Sequence, residues 1–225
     1  MEIAAAIDFF VSALFVTDAS SQNVLGEIIN RMYAHNAALK TMTAGVTMVK
    51  YNPQLNVSDT TVGRTSYISK AAGGKMYVRI DWTKPVEEKI AVIGDDYELY
   101  RPRLNQVIVG KTQKAKNSAS VGGALGFMSM SKAQLKANYN VAFLGEEQIS
   151  GGVRTWHLQL NPKNQSSYKM AELWVDGDGM PRQAKVIEQN NDTTTVMLSG
   201  IQKNPSLKGS SFKLNYPGNV KKIKA

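Results

Sequence analysis

KMYVRIDWTKPVEEKIAVIGDDYELYRPRLNQVIVG is the sequence of residues 75–110, and its pattern decides the fold. At its start, apolar residues alternate with polar or aromatic ones, which is the period of a β-strand with one buried face. The apolar members are Met76, Val78, Ile80 and Trp82. Further apolar runs at 90–93, 97–100 and 104–109 are separated by turn residues, so the segment predicts three or four successive antiparallel strands. Because a slip of one residue exchanges the two faces, the buried face could instead carry Tyr77.

Composition limits the classes of protein to which the chain can belong. Its 225 residues, 43% hydrophobic and 20% charged, suffice for one sizeable globular domain or for two small ones. The net charge of +9 indicates an anionic partner, which could be a nucleic acid, a membrane surface or an acidic protein. The absence of cysteine excludes disulfides, thiolate ligands and cysteine lipidation. The two histidines have no metal-binding neighbours in sequence, so we predict no metal and no cofactor.

Residues 1–22 resemble a degenerate secretory signal. The run 4–16 is mostly apolar, and small residues at 19–21 would supply a processing region. Glu2 and Asp8 depart from the usual pattern, and the alternative is a short buried amphipathic helix. A transmembrane helix needs about 20 apolar residues, more than this run contains. We therefore predict a signal peptide over 1–22 and a single domain over 23–225.

Helical periodicity appears in two places. Over 22–40, apolar residues recur at spacings of three, four and seven, which predicts the first helix. The segment 121–139 carries two shorter helical patterns on either side of Ser131, a residue suited to cap the second one. This insertion lies between strands, and its apolar residues are large and flexible. It forms either a plug at one end of a barrel or a movable lid.

The rest of the chain predicts sheet. Strand candidates at 42–51 and 62–70 precede the central segment, and others follow the helical insertion at 141–144, 153–160, 168–175, 182–188, 193–198 and 212–216. The total is roughly ten or eleven strands, hence a mainly β protein of the α+β class. The DGDG sequence at 176–179 lacks the further carboxylates of a calcium loop and predicts a tight hairpin.

Enzymes and nucleic-acid-binding proteins find little support in the sequence. There is no Gly-x-Ser-x-Gly elbow and no phosphate-binding loop, and the glycines at 122–126 lack the spacing of a dinucleotide loop. His157 fits a strand residue better than a catalytic base. Basic residues are scattered rather than interleaved with exposed aromatics. We predict a protein that is not an enzyme and binds no nucleic acid.

The order of these elements resembles the LolA-type periplasmic carriers of outer-membrane lipoproteins. The shared motifs, in order, are RIDW at 79–82, GDDYELY at 94–100, NQV at 105–107, ELWVD at 172–176 and FKLNYPGNV at 212–220. The resemblance implies an incomplete antiparallel β-barrel with an N-terminal helix, a short helical lid and an apolar cavity for acyl chains. It also implies a periplasmic protein that takes acylated lipoproteins from an inner-membrane releasing complex to an outer-membrane acceptor, and we expect a monomer.

A carrier of this kind needs an apolar concavity, because burying an acyl chain gains about 0.8 kcal/mol per methylene. Flexible side chains such as methionine suit a surface that must both bind and release. The predicted cavity residues are Met76, Val78, Ile80, Trp82, Leu99 and Val107, and the predicted lid residues are Leu125, Phe127, Met128, Met130 and Leu135. The alternative for each is an ordinary core position.

Two further sites follow from the resemblance and from charge. The family often places an arginine before the RIDW strand to fasten the lid, and the nearest counterpart here is Lys70. The lysine ammonium group is a single point of charge and cannot bind a partner in the bidentate way that an arginine guanidinium can. Arg101, Arg103 and Lys111 are predicted to steer docking to an acidic surface on a membrane partner. The alternative function is a lipid- or lipoprotein-sensing domain on the same fold, acting through a partner protein.

Overall fold

The computed structural model describes residues 18–112 and 130–225, and one open sheet of twelve strands dominates this part of the chain. The strands are β1 Thr41–Asn52, β2 Val57–Ile68, β3 Tyr77–Lys84, β4 Glu88–Ile93, β5 Asp96–Arg101, β6 Gln106–Lys111, β7 Tyr139–Ile149, β8 Val153–Pro162, β9 Tyr168–Asp176, β10 Pro181–Glu188, β11 Thr193–Lys203 and β12 Lys221–Lys224. The described helices are α1 Asp18–Ala38, α2 Lys70–Gly73 and α3 Lys132–Asn138, with short 3-10 turns at Pro102–Leu104 and Gly209–Phe212. The predicted mainly β class is confirmed.

The sheet consists of two antiparallel meanders, β1–β6 and β7–β11, joined where β1 pairs with β11. The spatial order is β12-β6-β5-β4-β3-β2-β1-β11-β10-β9-β8-β7. The terminal strands β12 and β7 do not pair with each other, so the predicted incomplete barrel is also confirmed. One pairing departs from the predicted antiparallel pattern, because β12 runs parallel to β6.

Helix α1 confirms the first predicted helix and begins earlier, at Asp18. Its residues Ile28 and Met32 are buried in the main core. Residues 1–17 lie outside the described part of the chain, so the signal peptide over 1–22 and the domain limits remain predictions. Within the described ranges, no helix is both long and apolar enough to cross a membrane.

Helix α3 begins at the predicted cap. The Ser131 hydroxyl accepts a hydrogen bond from the Gln134 backbone N–H at 3.2 Å, and the Gln134 side chain accepts one from the Ser131 N–H at 2.9 Å. This reciprocal capping box satisfies two amides that the first turn would leave unpaired. Two contacts attach α3 to α1: Lys132 Nζ donates to Asn30 Oδ1 at 2.6 Å, and Asn36 donates to the Met130 carbonyl at 3.4 Å.

The main hydrophobic core lies on one face of the sheet, which we call the inner face. Strands β1 and β8–β11 contribute fully buried residues such as Val46, Leu158 and Leu173, and the helices contribute Ile28 and Leu135. Strand β3 contributes Ile80 and Trp82 to the same core. Alternation along each strand sends every second side chain to this face. Helices α1 and α3 therefore pack on the inner face, in one core with residues of β1, β3 and β8–β11.

A second, smaller core lies on the opposite, outer face. Ala91, Tyr100 and Val107 are buried there beneath Leu214. Leu214 belongs to the segment 204–220, which we call the C-terminal strap. The predicted strand at 212–216 was wrong, because Phe212 ends a 3-10 turn and the following residues pair with no described strand. Phe212 and Leu214 alternate with exposed residues because they pack onto the sheet, not because they extend it.

Candidate functional site

An aliphatic row crosses five strands on the inner face. Register pairs Ile80 with Ile90, Ile90 with Leu99, and Leu99 with Ile108; Ile108 in turn pairs with Ile223 of β12. Since neighbouring strands lie about 4.8 Å apart, the row extends for about 19 Å. The row is thus a continuous aliphatic strip across this part of the sheet.

A second row runs beside the first. Val78 pairs with Val92, Val92 with Tyr97, and Tyr97 with Gly110. The Tyr97 ring lies over Gly110, where a Cβ atom would stand 2.7 Å from the ring. Glycine thus lets the ring lie against β6. We call the two rows together, without Gly110, the apolar wall: Val78, Ile80, Ile90, Val92, Tyr97, Leu99, Ile108 and Ile223.

Most of the apolar wall is only half-buried. Ile80 is 3% exposed, but the other wall residues all retain intermediate exposure. The inner-face residues Leu158, Leu173 and Ala184 of the opposite meander are at most 1% exposed. The wall therefore keeps apolar surface available to a ligand, whereas the corresponding surface of β8–β10 is closed.

A row that is polar beyond the buried Trp82 borders the wall at one rim of the sheet. Trp82 pairs with Glu88 across β3 and β4, and Arg101 pairs with Gln106 across β5 and β6. The Arg101 guanidinium forms an ion pair with Glu88, with Nε and Oε1 3.1 Å apart. Each ion thus neutralises the other at the end of the apolar surface.

The structure brings together four of the predicted cavity residues. Val78, Ile80, Trp82 and Leu99 share the inner face, which resolves the register question, since Tyr77 packs against Phe212 on the outer face. Ile80 and Trp82 are each 3% exposed and belong to the main core, whereas Val78 and Leu99 are half-buried. Met76 precedes β3 and is half-buried. Whether any of them contacts an acyl chain remains a proposal.

Val107 was wrongly placed among the cavity residues. It is 0% exposed and belongs to the outer-face core with Tyr100, its partner across β5 and β6. The run Val107-Ile108-Val109 is apolar at every position, so alternation could not choose a face. Register assigns Ile108 to the wall instead.

The predicted lid lies largely outside the described residues. Leu125, Phe127 and Met128 fall in the segment 113–129, of which the structure describes nothing. Met130 is partly buried against the main core, and Leu135 is 2% exposed there. Lys70 begins α2 and is exposed, without a hydrogen bond or ion pair to any described side chain, so its role as a latch remains a prediction.

The predicted docking residues do not form one cluster. Arg101 is paired with Glu88 on the inner face, while Arg103 is exposed in the β5–β6 connection. Lys111 lies at the far end of β6, 2.5 Å from Asp96. The hydrogen bond and the charge of Asp96 raise the pKa of Lys111. Only Arg101 and Arg103 are neighbours.

The sequence analysis missed several wall residues. Tyr97 and Leu99 alternate with Asp96 and Glu98, so extending the period through β5 would have found Tyr97. Ile90 and Val92 lie in the run 90–93, which is apolar at every position, so alternation could not assign them to a face. Ile223 had no such signal, because β12 joins the sheet after a long connection and runs parallel to β6.

His157 belongs to a polar cluster on the outer face, away from the wall. Its ring stacks on Trp174 with the centroids 4.2 Å apart, and Nδ1 lies 3.1 Å from Glu147. Glu147 also accepts a hydrogen bond from the Trp174 indole at 2.8 Å. These contacts hold three neighbouring strands together, in agreement with a strand role for His157.

Two clefts lie at the sheet rim rather than on the wall. One, of about 390 Å³, is lined mainly by polar residues between Pro162 and Lys169. The other, of about 500 Å³, lies beside the β1–β2 turn and includes Asp59, Glu188 and Asp192. Neither cleft includes a residue of the apolar wall.

Comparison with known proteins identifies the family. The family described as "Outer membrane lipoprotein carrier protein LolA" matches residues 71–215. The outer-membrane lipoprotein carrier protein of Bordetella avium is 26% identical over 142 residues, which are 63% of this chain and 63% of that relative. The chain thus spans less than two thirds of that relative's length.

Solved structures share the fold. An uncharacterized conserved protein from Thermus thermophilus superposes with a TM-score of 0.57 and 13% identity, over 90% of this chain and 99% of that one. The Mycobacterium tuberculosis lipoprotein LppX gives a TM-score of 0.53 and 13% identity, over 83% and 99%. With the family match extending over more than half of the sequence, the chain belongs to the LolA family of outer membrane lipoprotein carrier proteins.

Proposed function

We propose that this protein is a periplasmic carrier that holds the acyl chains of lipoproteins on the apolar wall and moves them toward the outer membrane. One observation carries the proposal: apart from Ile80 and Trp82, which belong to the main core, the apolar residues on the inner face of β3–β6 are only half-buried, although the strap already buries the outer face of the same strands. A sheet face that stays open to water is ordinarily polar. An apolar open face indicates a ligand that covers it.

The energetics suit a carrier. Covering about ten methylenes gains about 8 kcal/mol, which corresponds to a dissociation constant near 1 μM. This affinity is sufficient to shield one chain during transit and still permits transfer to a surface that buries the chain more completely. Met130 and the predicted lid residues of 125–128 would supply adaptable apolar cover. An inner-membrane releasing complex and an outer-membrane acceptor are the proposed donor and acceptor.

Binding of a fluorescent acylated peptide tests the proposal directly. Ile108→Glu places a charge in the middle of the wall and should weaken acyl-peptide binding by tenfold or more, because burying an unpaired carboxylate is costly. The matched control is Leu144→Glu, which also adds a charge at a β-strand leucine but lies outside the wall and is 50% exposed. Circular dichroism should show both variants folded.

Unchanged binding by a folded Ile108→Glu variant would refute the assignment of the wall. Acceptor vesicles then distinguish a carrier from the sensing alternative. A carrier should release the acylated peptide to acceptor vesicles that contain no peptide, whereas a sensor should keep the peptide bound. Native mass spectrometry of the purified protein adds an independent measurement, since a carrier should retain some acylated material.

A further inference from the structure

One rim of the sheet combines an exposed leucine with basic residues. Leu104 is 64% exposed in the β5–β6 connection, directly after Arg103. The turn leading into β12 lies beside it: the Asn105 side chain donates to the Asn219 carbonyl at 3.2 Å, and the Lys221 N–H donates to the Asn105 carbonyl at 2.9 Å. These bonds join residues 101–105 and 217–222 into one unit, which we call the basic tip.

The rim around the basic tip carries a surplus of positive charge. The basic tip and the neighbouring turn 83–89 contain six basic and two acidic residues. Both acids are already neutralised, Glu87 by Lys89 at 2.9 Å and Glu88 by Arg101 at 3.1 Å. The unpaired surplus therefore consists of Lys84, Arg103, Lys221 and Lys222, of which Lys222 lies 5.6 Å from the centre of the Tyr216 ring.

We propose that the basic tip docks on an anionic lipid surface, with Leu104 inserted among the headgroups. Near such a surface each cation contributes about 1 kcal/mol, and a single aliphatic side chain adds a small apolar term. A stable protein partner would need about 800 Å² of matching surface, which two short turns do not offer. A bilayer needs only a few inserted groups and a ring of cations.

This docking orients the apolar wall. The ion pair Glu88–Arg101 marks the end of the wall at the same rim, so a docked tip brings that end next to the lipid. The association would be weak and reversible, as required of a protein that must leave the surface again. The docking inference does not depend on the proposed cargo, since it concerns the empty protein and lipid alone.

The chain offers a matched control at Leu55. This residue is 73% exposed in the β1–β2 turn, more than Leu104. Its surroundings differ, because the adjoining cleft carries Asp59, Glu188 and Asp192 against Lys50. Leu55 is thus an exposed leucine that lacks neighbouring excess positive charge. Comparing it with Leu104 distinguishes nonspecific hydrophobic adsorption from docking through the basic tip.

Co-sedimentation of the full chain with vesicles provides the first test. On vesicles of phosphatidylglycerol and phosphatidylethanolamine, the triple variant Arg103→Gln, Lys221→Gln, Lys222→Gln should bind about a hundredfold more weakly than the unchanged chain. Leu104→Ser should bind about fivefold more weakly, and Leu55→Ser should bind equally well. Binding should fall on phosphatidylcholine vesicles. Equal binding by the triple variant would overturn the proposal.

A local probe provides the second test. The chain has no cysteine, so Leu104→Cys accepts a single environment-sensitive dye, and Leu55→Cys accepts the same dye at the control position. The dye at 104 should shift to the blue on anionic vesicles, and the dye at 55 should not. Equal shifts at both positions would contradict docking through the tip.

If vesicles fail to bind while poly-glutamate binding depends on the three cations and not on Leu104, the partner is an acidic polypeptide and the lipid proposal is wrong.

Discussion

The two meanders of the sheet are covered on opposite faces. In β8–β11, helices α1 and α3 bury the inner face, and polar groups such as Glu172 and Lys185 occupy the outer face. In β3–β6, the C-terminal strap buries the outer face, while the inner face is half-buried apart from Ile80 and Trp82. Strands β8–β11 thus have one apolar face, whereas β3–β6 have two.

This difference separates a closed core from the surface that we propose as the binding site. Ala91 and Tyr100 pack under the strap, while their neighbours Ile90 and Leu99 point to the other side and form the wall. Strands β3–β6 therefore carry apolar side chains on both faces, although the strap covers only the outer one. A surplus that remains half-buried contributes little to folding and is available to a ligand.

The largest expected effect compares one leucine from each meander. Leu173→Ala removes a side chain that is 0% exposed and should lower the free energy of unfolding by about 2–5 kcal/mol. Leu99→Ala should cost about 1 kcal/mol, because its half-buried side chain leaves no closed cavity. Urea unfolding of both variants measures the difference. Equal losses would mean that the wall is an ordinary core.

Gly179 tests how α1 is attached to the helix-covered meander. A Cβ atom there would lie 2.4 Å from the Arg31 carbonyl, and φ is +82°. Gly179→Ala should destabilise by about 2–4 kcal/mol through backbone strain and displacement of the helix. Gly151→Ala is the control, because it has a similar φ of +84° but open space around the added Cβ.

Gly151→Ala should therefore lower the free energy of unfolding only by the strain of a positive φ, about 1–2 kcal/mol. Thermal unfolding of the pair isolates the helix contact. If Gly151→Ala and Gly179→Ala lower stability equally, the tight approach of α1 to the β9–β10 turn contributes nothing measurable.

Arg79 tests how the strap is attached to β3–β6. Its guanidinium lies 2.9 Å from Asp81 and donates to the carbonyls of Ser211 and Lys213 at 2.7 and 3.3 Å. Arg79→Met should lower stability by about 1–2 kcal/mol and speed proteolytic cleavage within the strap. Arg154→Met, which removes an ion pair to Glu146 from a side chain 84% exposed, should change stability by less than about 0.5 kcal/mol. Unchanged cleavage in Arg79→Met would show that apolar packing alone holds the strap.

Alternation predicted the fold better than the site. Strands that bury one face, such as β3, show the period clearly, and the DGDG turn and the Ser131 cap have local chemistry that specifies them. The face of Val107 was wrong because β6 is apolar on both sides, a property that depends on the distant strap. The strap itself was taken for a strand, since packing onto a sheet and pairing within it produce the same alternation. Which apolar residues form the wall therefore depends on segments distant in sequence that pack on the sheet, and not on the local pattern of each strand.

The smallest expected effect concerns pH and the helix-covered meander. His35 lies in the last turn of α1, and burial together with the charge of Lys203 lowers its pKa below 6.5, while Asp176 and Asp178 act in the opposite direction. The unfolded chain therefore takes up a proton at higher pH than the folded chain does. By linkage, this contribution to stability is complete above pH 6.5 and is lost as the pH falls below it.

His35→Gln removes the titration and should flatten the decline of stability below about pH 6.5. Urea unfolding of both proteins at several pH values between about 5 and 7.5 measures the slope. His157 is present in both proteins and does not contribute to the difference. Leu99→Ala serves as a reference from the other meander, since it should shift stability equally at every pH. Parallel pH profiles for His35→Gln and the unchanged chain would place the acid sensitivity elsewhere, and would remove this distinction between the two meanders.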